Sequence, residues 1–310
     1  MYACSPKWNA DWINEKDVKN SLSQLSGRIK QSLLGPDKID LNSGLHFTGG
    51  EPFLNFKLLL QATKIACELR IPSTFVETNC YWCGNDKVTE DKLRQLKDVG
   101  LKGVMVSVNP FILEYVSFGK TERAIRVSKK VFGENAIVYQ SHFYRQFKKL
   151  GIESTLSLDD YIEKTGFESF NYVEMIPMGR FPYKLGHLFK KQKAESFFSQ
   201  SCEARLTSPY HIYIDNYGNY ITGFCGGISL GNADKLDLIL DGIDLNERPV
   251  LRALVAGLGG LYNLGKEFGY EDLQEGYVSA RHLCIDIRKH LVQKTDEFRE
   301  LRPRELYSNL

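Results

Sequence analysis

Short apolar runs recur along the first half of the chain at a nearly constant spacing. Five runs are typical of buried strands, and their first residues lie 30, 29, 32 and 36 positions apart. They are Leu45–Thr48, Phe75–Thr78, Val104–Val108, Ala136–Tyr139 and Tyr172–Ile176. Helical patterns fill the gaps. Strand–helix units of about 30 residues predict right-handed crossovers and a parallel sheet.

A longer helix is predicted ahead of the first strand, from about Glu15 to Leu34. Its apolar positions fall 4, 3, 4 and 4 residues apart and form one stripe: Val18, Leu22, Leu25, Ile29 and Leu33. Gly35-Pro36 is predicted to end this helix, because glycine commonly follows a helix and proline cannot continue one.

Further helices are predicted between the strands. One covers residues 56–66, and a second runs from a Thr89 cap to Gly100. A third carries apolar residues at positions 124, 127 and 131, and a fourth follows the capping box formed by Ser157 and Asp160.

From about Phe181 the strand–helix rhythm stops. His211–Ile214 and Tyr220–Phe224 alternate in polarity around a polar turn, which predicts a β-hairpin, and a mostly helical tail follows. We therefore predict an α/β protein with two domains, residues 1–180 and a smaller α+β extension over residues 181–310.

Composition excludes several classes of protein. The 310 residues are 43% hydrophobic and 25% charged, unlike a disordered chain, a collagen-like repeat or a coiled coil. The net charge of +2 gives no case for a nucleic-acid partner. The most apolar stretch, Val250–Leu264, is shorter than the ~20 residues of a membrane span, and no secretory signal opens the chain. These features predict a cytoplasmic protein without a membrane partner.

The cysteines are seven in number, and an odd count in a reducing compartment favours free thiols, metal ligands or cluster ligands over disulfides. Cys80 and Cys83 form a Cys-x-x-Cys motif, which is compatible with a redox pair or half of a zinc site. No second such pair accompanies it, so unremarkable thiols are the simpler interpretation.

The first strand leads into Gly49-Gly50-Glu51-Pro52. Ligand sites of parallel sheets lie at the carboxyl ends of the strands, and paired glycines let a ligand approach the backbone closely. Pro52 disfavours a helical backbone at Glu51, so we expect this carboxylate to face the site and to accept hydrogen bonds from a ligand ammonium. A tight turn with an acidic residue at a helix start is the alternative.

The next two strands also end in polar residues. Glu77-Thr78-Asn79 ends the second strand, and Ser107 and Asn109 end the third. Small polar groups should therefore meet at the same edge of the sheet. For either strand alone, ordinary loop polarity is the simpler interpretation.

Together these segments resemble the radical S-adenosylmethionine (radical SAM) superfamily. Glu77–Asn79 is similar to the family's Glu-Thr-Asn-Gly strand end, with Cys80 in the glycine position, and Met175–Arg180 is similar to its Pro-x-Gly-Arg segment. The resemblance covers residues 1–180 and implies a partial (β/α)6 TIM-like barrel, of which the pattern gives five strands. It implies one SAM-binding mouth formed by Gly49, Gly50, Glu51, Pro52, Glu77, Thr78, Asn79, Ser107, Asn109, Gly179 and Arg180.

The family also carries Cys-x-x-x-Cys-x-x-Cys after its first strand, which binds a [4Fe-4S] cluster that reduces the sulfonium. This spacing is absent from the chain, and Cys4 alone cannot hold a cluster that needs three or four thiolates. Two explanations stay open: a chain that begins internally, just past the third cysteine, or a degenerate homologue. In the first case Leu45–Thr48 becomes an open sheet edge, and we expect the isolated chain to aggregate.

A second group of cysteines lies around the predicted hairpin. The order of Cys202, Cys225 and Cys284 is similar to the SPASM or twitch extension of radical SAM enzymes, which binds auxiliary iron–sulfur clusters. Arg281 stands where that extension has the first cysteine of a late Cys-x-x-Cys. The fourth ligand is then His282, another cysteine or substrate, or the site is empty. Three isolated buried cysteines are the alternative.

The resemblance implies an enzyme whose reduced cluster cleaves SAM to a 5′-deoxyadenosyl radical, which then abstracts hydrogen from a peptide or another small substrate. Because the ligands of the reducing cluster are missing, we expect the chain as given to be inactive. The alternative is a non-catalytic barrel that binds a nucleoside or a peptide.

Overall fold

Four of the predicted strands form one parallel sheet in the computed structural model, which describes residue 8 and residues 12–172, 179–223 and 225–310. The strands are β1 (His46–Phe47), β2 (Phe75–Thr78), β3 (Gly103–Ser107) and β4 (Ala136–Tyr139). They pair in chain order, as the sequence predicts. Of the fifth predicted strand, Tyr172 ends a 3-10 helix instead, and the remainder lies outside the described residues.

The chain divides into two compact units, and the parallel sheet belongs to the unit Val18–Met175. The other unit consists of Met1–Asp17 and Ile176–Leu310. The helices up to residue 165 are α1 (Glu15–Leu25), α2 (Phe56–Glu68), α3 (Asp86–Asp98), α4 (Pro110–Leu113), α5 (Phe118–Phe132), α6 (Ser141–Lys149) and α7 (Leu158–Thr165).

The sheet is covered by helices and buried along its centre. Helix α5 packs against β3 and β4, and α3 packs against α5. All five residues of β3 are buried, which explains why this strand has a continuous apolar run rather than an alternating one. Ile39, Phe75 and Met105 form one core cluster, against which Ile137 packs.

Helix α1 ends at Leu25, so the predicted extension to Leu34 is wrong. Gly27 takes a φ of +77°, in the left-handed region that stops a helix. The amide of Ser26 still donates to Leu22 O at 2.8 Å, but the later residues of the apolar stripe leave the helix. Leu33 is fully exposed as a result, at 100% of its surface.

Two predicted helix starts have different outcomes. Helix α3 is capped by Asn85 rather than by Thr89: Asn85 Oδ1 accepts from Val88 N at 2.9 Å, and Thr89 lies one turn inside the helix. Ser157 is confirmed as the N-cap of α7, because its Oγ accepts from the amide of Asp160 at 3.1 Å.

The second unit contains a small antiparallel sheet of β5 (Tyr213–Ile214), β6 (Asn219–Ile221) and β7 (Gly231–Asn232). Strands β5 and β6 confirm the predicted hairpin, in a shorter form. The Asp215 carboxylate fixes the turn by accepting from the amides of Tyr217 and Asn219, each at 2.9 Å. The helices of the second unit are α8 (Phe181–Leu185), α9 (Glu203–Leu206), α10 (Leu236–Leu240), α11 (Pro249–Ala256), α12 (Leu258–Glu267), α13 (Ala280–Lys294) and α14 (Arg304–Ser308).

Late residues of the chain join distant parts of this second unit. The buried Glu300 carboxylate accepts from the amide of Val250 at 2.8 Å, in the first turn of α11. The Glu300 carbonyl accepts from the amide of Ser229, also at 2.8 Å. Within the described parts of the chain, no helix is long and apolar enough to cross a membrane.

A tight contact at Gly103 provides a test of the sheet packing. A Cβ at this position would lie 2.5 Å from Ile39 Cδ1 and closer still to the backbone oxygen of Asn135. We expect Gly103→Ala to lower the free energy of unfolding by about 1–3 kcal/mol, because the backbone at β4 must move. Denaturant titration with hydrogen exchange of the β3 amides measures this. Gly84→Ala is the matched control, since its Cβ meets nothing within 4 Å; equal effects at the two positions would contradict the packing.

Candidate functional site

Glu77 is the centre of a polar group at the carboxyl edge of the parallel sheet. It lies in β2, and the neighbouring strands on both sides contribute partners. Thr48, just after β1, donates through its hydroxyl to Glu77 Oε2 at 3.0 Å, and the Ser107 hydroxyl at the end of β3 donates to Oε1. His46 Nε2 lies 3.3 Å from Oε2, within ion-pair distance. The prediction that the strand ends bring polar side chains together is therefore confirmed for Glu77 and Ser107.

The surroundings of Glu77 favour its ionised form. Burial alone opposes the charge, but the adjacent His46 and the hydroxyls of Ser107 and Thr48 outweigh it, so the pKa of Glu77 is lowered. The Glu77 side chain keeps 26% of its surface exposed. An anionic carboxylate is thus available to a ligand at this edge.

Glu51 does not face the site as the sequence predicts. Its backbone is extended, at φ −148° and ψ 109°, as Pro52 requires. The carboxylate, however, turns inward and is only 4% exposed. It accepts hydrogen bonds from the Thr78 hydroxyl at 2.9 Å and from the amides of Asn79 at 2.7 Å and Phe53 at 3.3 Å. The reason for this correction is that the three donors hold the carboxylate in the interior, away from the open edge.

Burial raises the pKa of Glu51 to about 7, against the opposing effect of the hydrogen bonds from Asn79, Thr78 and Phe53. The nearby Glu77 carboxylate raises it further by repulsion. The two carboxyl groups at this edge therefore differ in charge at neutral pH, since Glu77 is ionised and Glu51 is partly protonated.

The two glycines form the open part of the same edge. Both are exposed, and a Cβ on either one would meet nothing within 4 Å. Gly49 has a φ of +132°, which only glycine adopts without strain. Pro52 begins the 3-10 helix Pro52–Asn55 directly behind them. This turn leaves the backbone accessible to a ligand, as predicted from the glycine pair.

The remaining predicted residues of the mouth have other roles or lie elsewhere. Asn109 caps α4 by accepting from the amide of Ile112 at 3.0 Å, and Asn79 Oδ1 accepts from the amide of Tyr81 at 3.0 Å. Gly179 and Arg180 belong to the second unit, where Arg180 is the N-cap position of α8. Their predicted convergence with the strand ends stays a prediction.

His46 and Thr48 are site residues that sequence reasoning missed. They flank Phe47 in the first strand, and alternate residues of a strand share one face. The alternation of His46 and Thr48 in the strand just before the glycine pair could therefore have identified both as site residues. The His46 ring also stacks on Phe75, with ring centroids 4.5 Å apart, which fixes its orientation beside Glu77.

Cys202, Cys225 and Cys284 share one electrostatic environment in the second unit. Burial, together with the neighbouring Cys284 and Cys225 thiols, raises the pKa of Cys202 to about 12. Burial and Cys284 likewise raise the pKa of Cys225. Arg205 and Arg288 act on both thiols in the opposite sense. The three thiols therefore influence one another electrostatically, and arginine side chains act on the same thiols.

Arg288 connects this thiol group to the tail of the unit. It is 4% exposed, and its Nη1 donates to Gly226 O at 2.9 Å and to the Tyr307 hydroxyl at 2.7 Å. The Tyr307 hydroxyl donates to Gly227 O at 2.5 Å. The loop that follows Cys225 is thus held in place by a buried charge.

No metal site is formed by the side chains that the structure describes: no group of three or more His, Cys, Asp or Glu is placed as metal ligands are. His282, a candidate fourth ligand, is 3% exposed and packs against the rings of Tyr183 and Tyr277. Burial lowers the pKa of His282. A cluster on the three cysteines stays a prediction.

Comparison with known proteins adds no family assignment. No protein-family model matches the chain, and no curated protein sequence matches it. The resemblance to the radical SAM superfamily accordingly stays an expectation that rests on the motifs quoted above.

The raised pKa of Glu51 predicts a specific pH dependence of stability. Its carboxyl has a pKa of about 7 in the folded chain against 4.5 for an unperturbed glutamate. Because the folded state holds the proton more tightly, the stabilisation contributed by Glu51 is complete below pH 4.5 and is lost as the pH rises through about 7. We expect a loss of about 3 kcal/mol between pH 4.5 and 7.5 that is absent in Glu51→Gln.

Denaturant titrations of both proteins across this pH range measure the difference in slope. Glu163→Gln, at an exposed carboxylate of α7, is the control and should follow the unsubstituted chain. Parallel curves for Glu51→Gln and the unsubstituted chain would show that Glu51 titrates normally.

Proposed function

We propose that the chain is part of a radical SAM iron–sulfur protein and that the carboxyl edge of its parallel sheet binds SAM. The observation that carries the proposal is Glu77, an ionised and partly exposed carboxylate beside the open Gly49-Gly50 turn. SAM is a cation at its sulfonium and its ammonium, so a fixed anion at a strand end favours its binding. The partial (β/α)6 barrel around this edge is part of the same proposal.

The residues of this edge have distinct parts in the proposed binding. Glu77 accepts from the ammonium or compensates the sulfonium charge, and the Gly50 backbone allows close approach of the methionyl group. The Ser107 hydroxyl is placed to exchange its bond to Glu77 for one to the ribose. Glu51 acts indirectly, since it binds the loop after β1 to the end of β2.

The residues of this chain do not fit the reducing cluster of the family. Its cysteines are at positions 4, 67, 80, 83, 202, 225 and 284, and no three of them have the Cys-x-x-x-Cys-x-x-Cys spacing. We therefore derive no radical step from these residues; their proposed work is to bind and orient SAM. A non-catalytic barrel that binds a nucleoside or a peptide would use the same polar residues at this edge. Titration with SAM and with its neutral analogue distinguishes SAM binding from nucleoside binding.

Calorimetric titration with SAM tests the strand-end site. We expect Glu77→Gln to raise the Kd roughly 10- to 100-fold, because a charge-assisted hydrogen bond to a partly exposed carboxylate is lost. Ser107→Ala should have a smaller effect. Glu163→Gln removes an exposed carboxylate of α7 and should leave the Kd unchanged.

S-adenosylhomocysteine, which lacks the sulfonium charge, separates the two functions. Weaker binding of this neutral analogue than of SAM supports recognition of the cation. Equal binding of SAM, its neutral analogue and adenosine would favour the nucleoside-binding alternative. A chain that is folded but binds none of them would contradict both SAM binding and nucleoside binding.

An auxiliary [4Fe-4S] cluster on Cys202, Cys225 and Cys284 is a second proposal, favoured by the guanidinium groups around the three thiols. A cluster with thiolate ligands is anionic, and Arg205, Arg281 and Arg288 would compensate its charge. Such a cluster supplies one-electron transfer. In the family that the chain resembles, tails of this type accompany modification of peptides, so a peptide is the proposed substrate class.

Anaerobic reconstitution with iron and sulfide tests the auxiliary cluster. We expect bound iron and sulfide, with the absorption of a cluster, that are lost when all three cysteines become alanine. Cys67→Ala is the control, because Cys67 is an exposed cysteine of the other unit. Iron that binds the triple variant as well as the unsubstituted chain would exclude these three residues as ligands.

A further inference from the structure

The Cys80-x-x-Cys83 motif has no part in the proposed SAM or cluster sites, yet it is buried and held by hydrogen bonds. Both cysteines are 0% exposed. The amide of Cys83 donates to Cys80 O at 3.0 Å, which closes a four-residue turn directly after β2. The Cα atoms across such a turn lie less than ~7 Å apart, and a disulfide needs roughly 4.4–6.8 Å.

Contacts from both sides hold this turn in one conformation. Lys120 Nζ donates to Tyr81 O at 2.8 Å, and Arg123 Nη1 donates to Cys83 O at 2.8 Å, both from α5. The Trp82 ring stacks on Phe53, with ring centroids 3.9 Å apart. The two thiols are therefore fixed side by side, and burial together with the Cys83 thiol raises the pKa of Cys80.

The backbone at Cys80 is that of a glycine. Its φ is +69°, in the left-handed region where a side chain is strained. Strained positions of this kind are concentrated at functional sites. A cysteine at this place therefore costs stability that glycine would not.

A proton acceptor lies next to the pair. The Cys80 thiol donates to Thr78 O at 3.8 Å, and the Thr78 hydroxyl in turn bonds to the buried Glu51 carboxylate. The Thr78 hydroxyl connects them: it donates to Glu51 Oε1 at 2.9 Å and accepts from the amide of Cys80 at 3.0 Å and from Trp82 Nε1 at 2.9 Å. A buried carboxylate beside a buried dithiol can take the proton that a thiol must lose before it reacts.

We propose that Cys80 and Cys83 are a reversible dithiol–disulfide pair, oxidised by a hydroperoxide, with Glu51 as the proton acceptor. The Cys80 thiol gives its proton to Glu51, and the thiolate attacks the peroxide oxygen. The O–O bond breaks, and the alcohol leaves with that proton. The Cys83 sulfur then attacks the sulfenic acid on Cys80, the S–S bond forms and water leaves. Two electrons pass from the sulfurs to the peroxide, and a dithiol reductant reverses the change.

Peptide mass mapping after treatment of the full chain with hydrogen peroxide tests the pair. We expect the peptide that contains Cys80 and Cys83 to become lighter by two hydrogens and to recover in dithiothreitol. In Cys83→Ser the reaction should stop at a sulfenic acid on Cys80, which dimedone traps. Cys67→Ala should leave the disulfide unchanged. A reduced Cys80–Cys83 peptide under conditions that oxidise the exposed Cys67 would overturn the proposal.

The role of Glu51 has its own readout in the pH profile of the oxidation rate. In the unsubstituted chain the rate should rise through pH 7, as Glu51 loses its proton. In Glu51→Gln this rise should vanish, and the rate at pH 8 should fall at least about tenfold. Glu163→Gln, at an exposed carboxylate of α7, should keep the original profile. An unchanged profile in Glu51→Gln would overturn the proton transfer, whatever the outcome of SAM titrations, since none of these measurements involves SAM.

Discussion

The buried carboxylate of Glu51 is the constraint on which the carboxyl edge of the sheet depends. It accepts from Thr78 and Asn79 at the end of β2 and from Phe53 in its own loop, and so joins two loops that follow adjacent strands. A glutamate at 4% exposure is tolerated only because all three donors are present. The glycine turn in front of it and the cysteine turn beside it both take their positions from this contact.

Two carboxyl groups at one sheet edge take opposite characters because their partners differ. Glu51 is surrounded by apolar packing and backbone amides, and burial raises its pKa to about 7. Glu77 keeps contact with solvent and has His46 and two hydroxyls around it, which lower its pKa despite its burial. Two neighbouring carboxyl groups with different pKa values can have different roles: one stays a fixed anion, and the other accepts and releases protons. The proposed SAM site and the proposed thiol chemistry follow this division.

The sequence predicted the framework of the sheet better than the details of the site. Four strands and their parallel order followed from apolar runs, since a strand buried on both faces must be apolar throughout. The length of α1 was wrong because the apolar stripe continues past Gly27, whose backbone leaves the helix. The direction of the Glu51 side chain could not be read from Gly-Gly-Glu-Pro, because it depends on donors in a different loop, 27 and 28 positions along the chain.

The anchoring of the second unit by Glu300 and Tyr307 has a consequence for synthesis on the ribosome. The parallel sheet closes over residues 46–139, so its contacts can form while translation continues. The second unit instead needs Glu300 beneath α11 and Tyr307 against Gly227 before its loops are held. At ~5–20 residues per second, its nascent chain stays incomplete for on the order of ten seconds. During that interval its apolar helices are open to chaperones and proteases, and Cys284, which the finished fold buries, is open to oxidants.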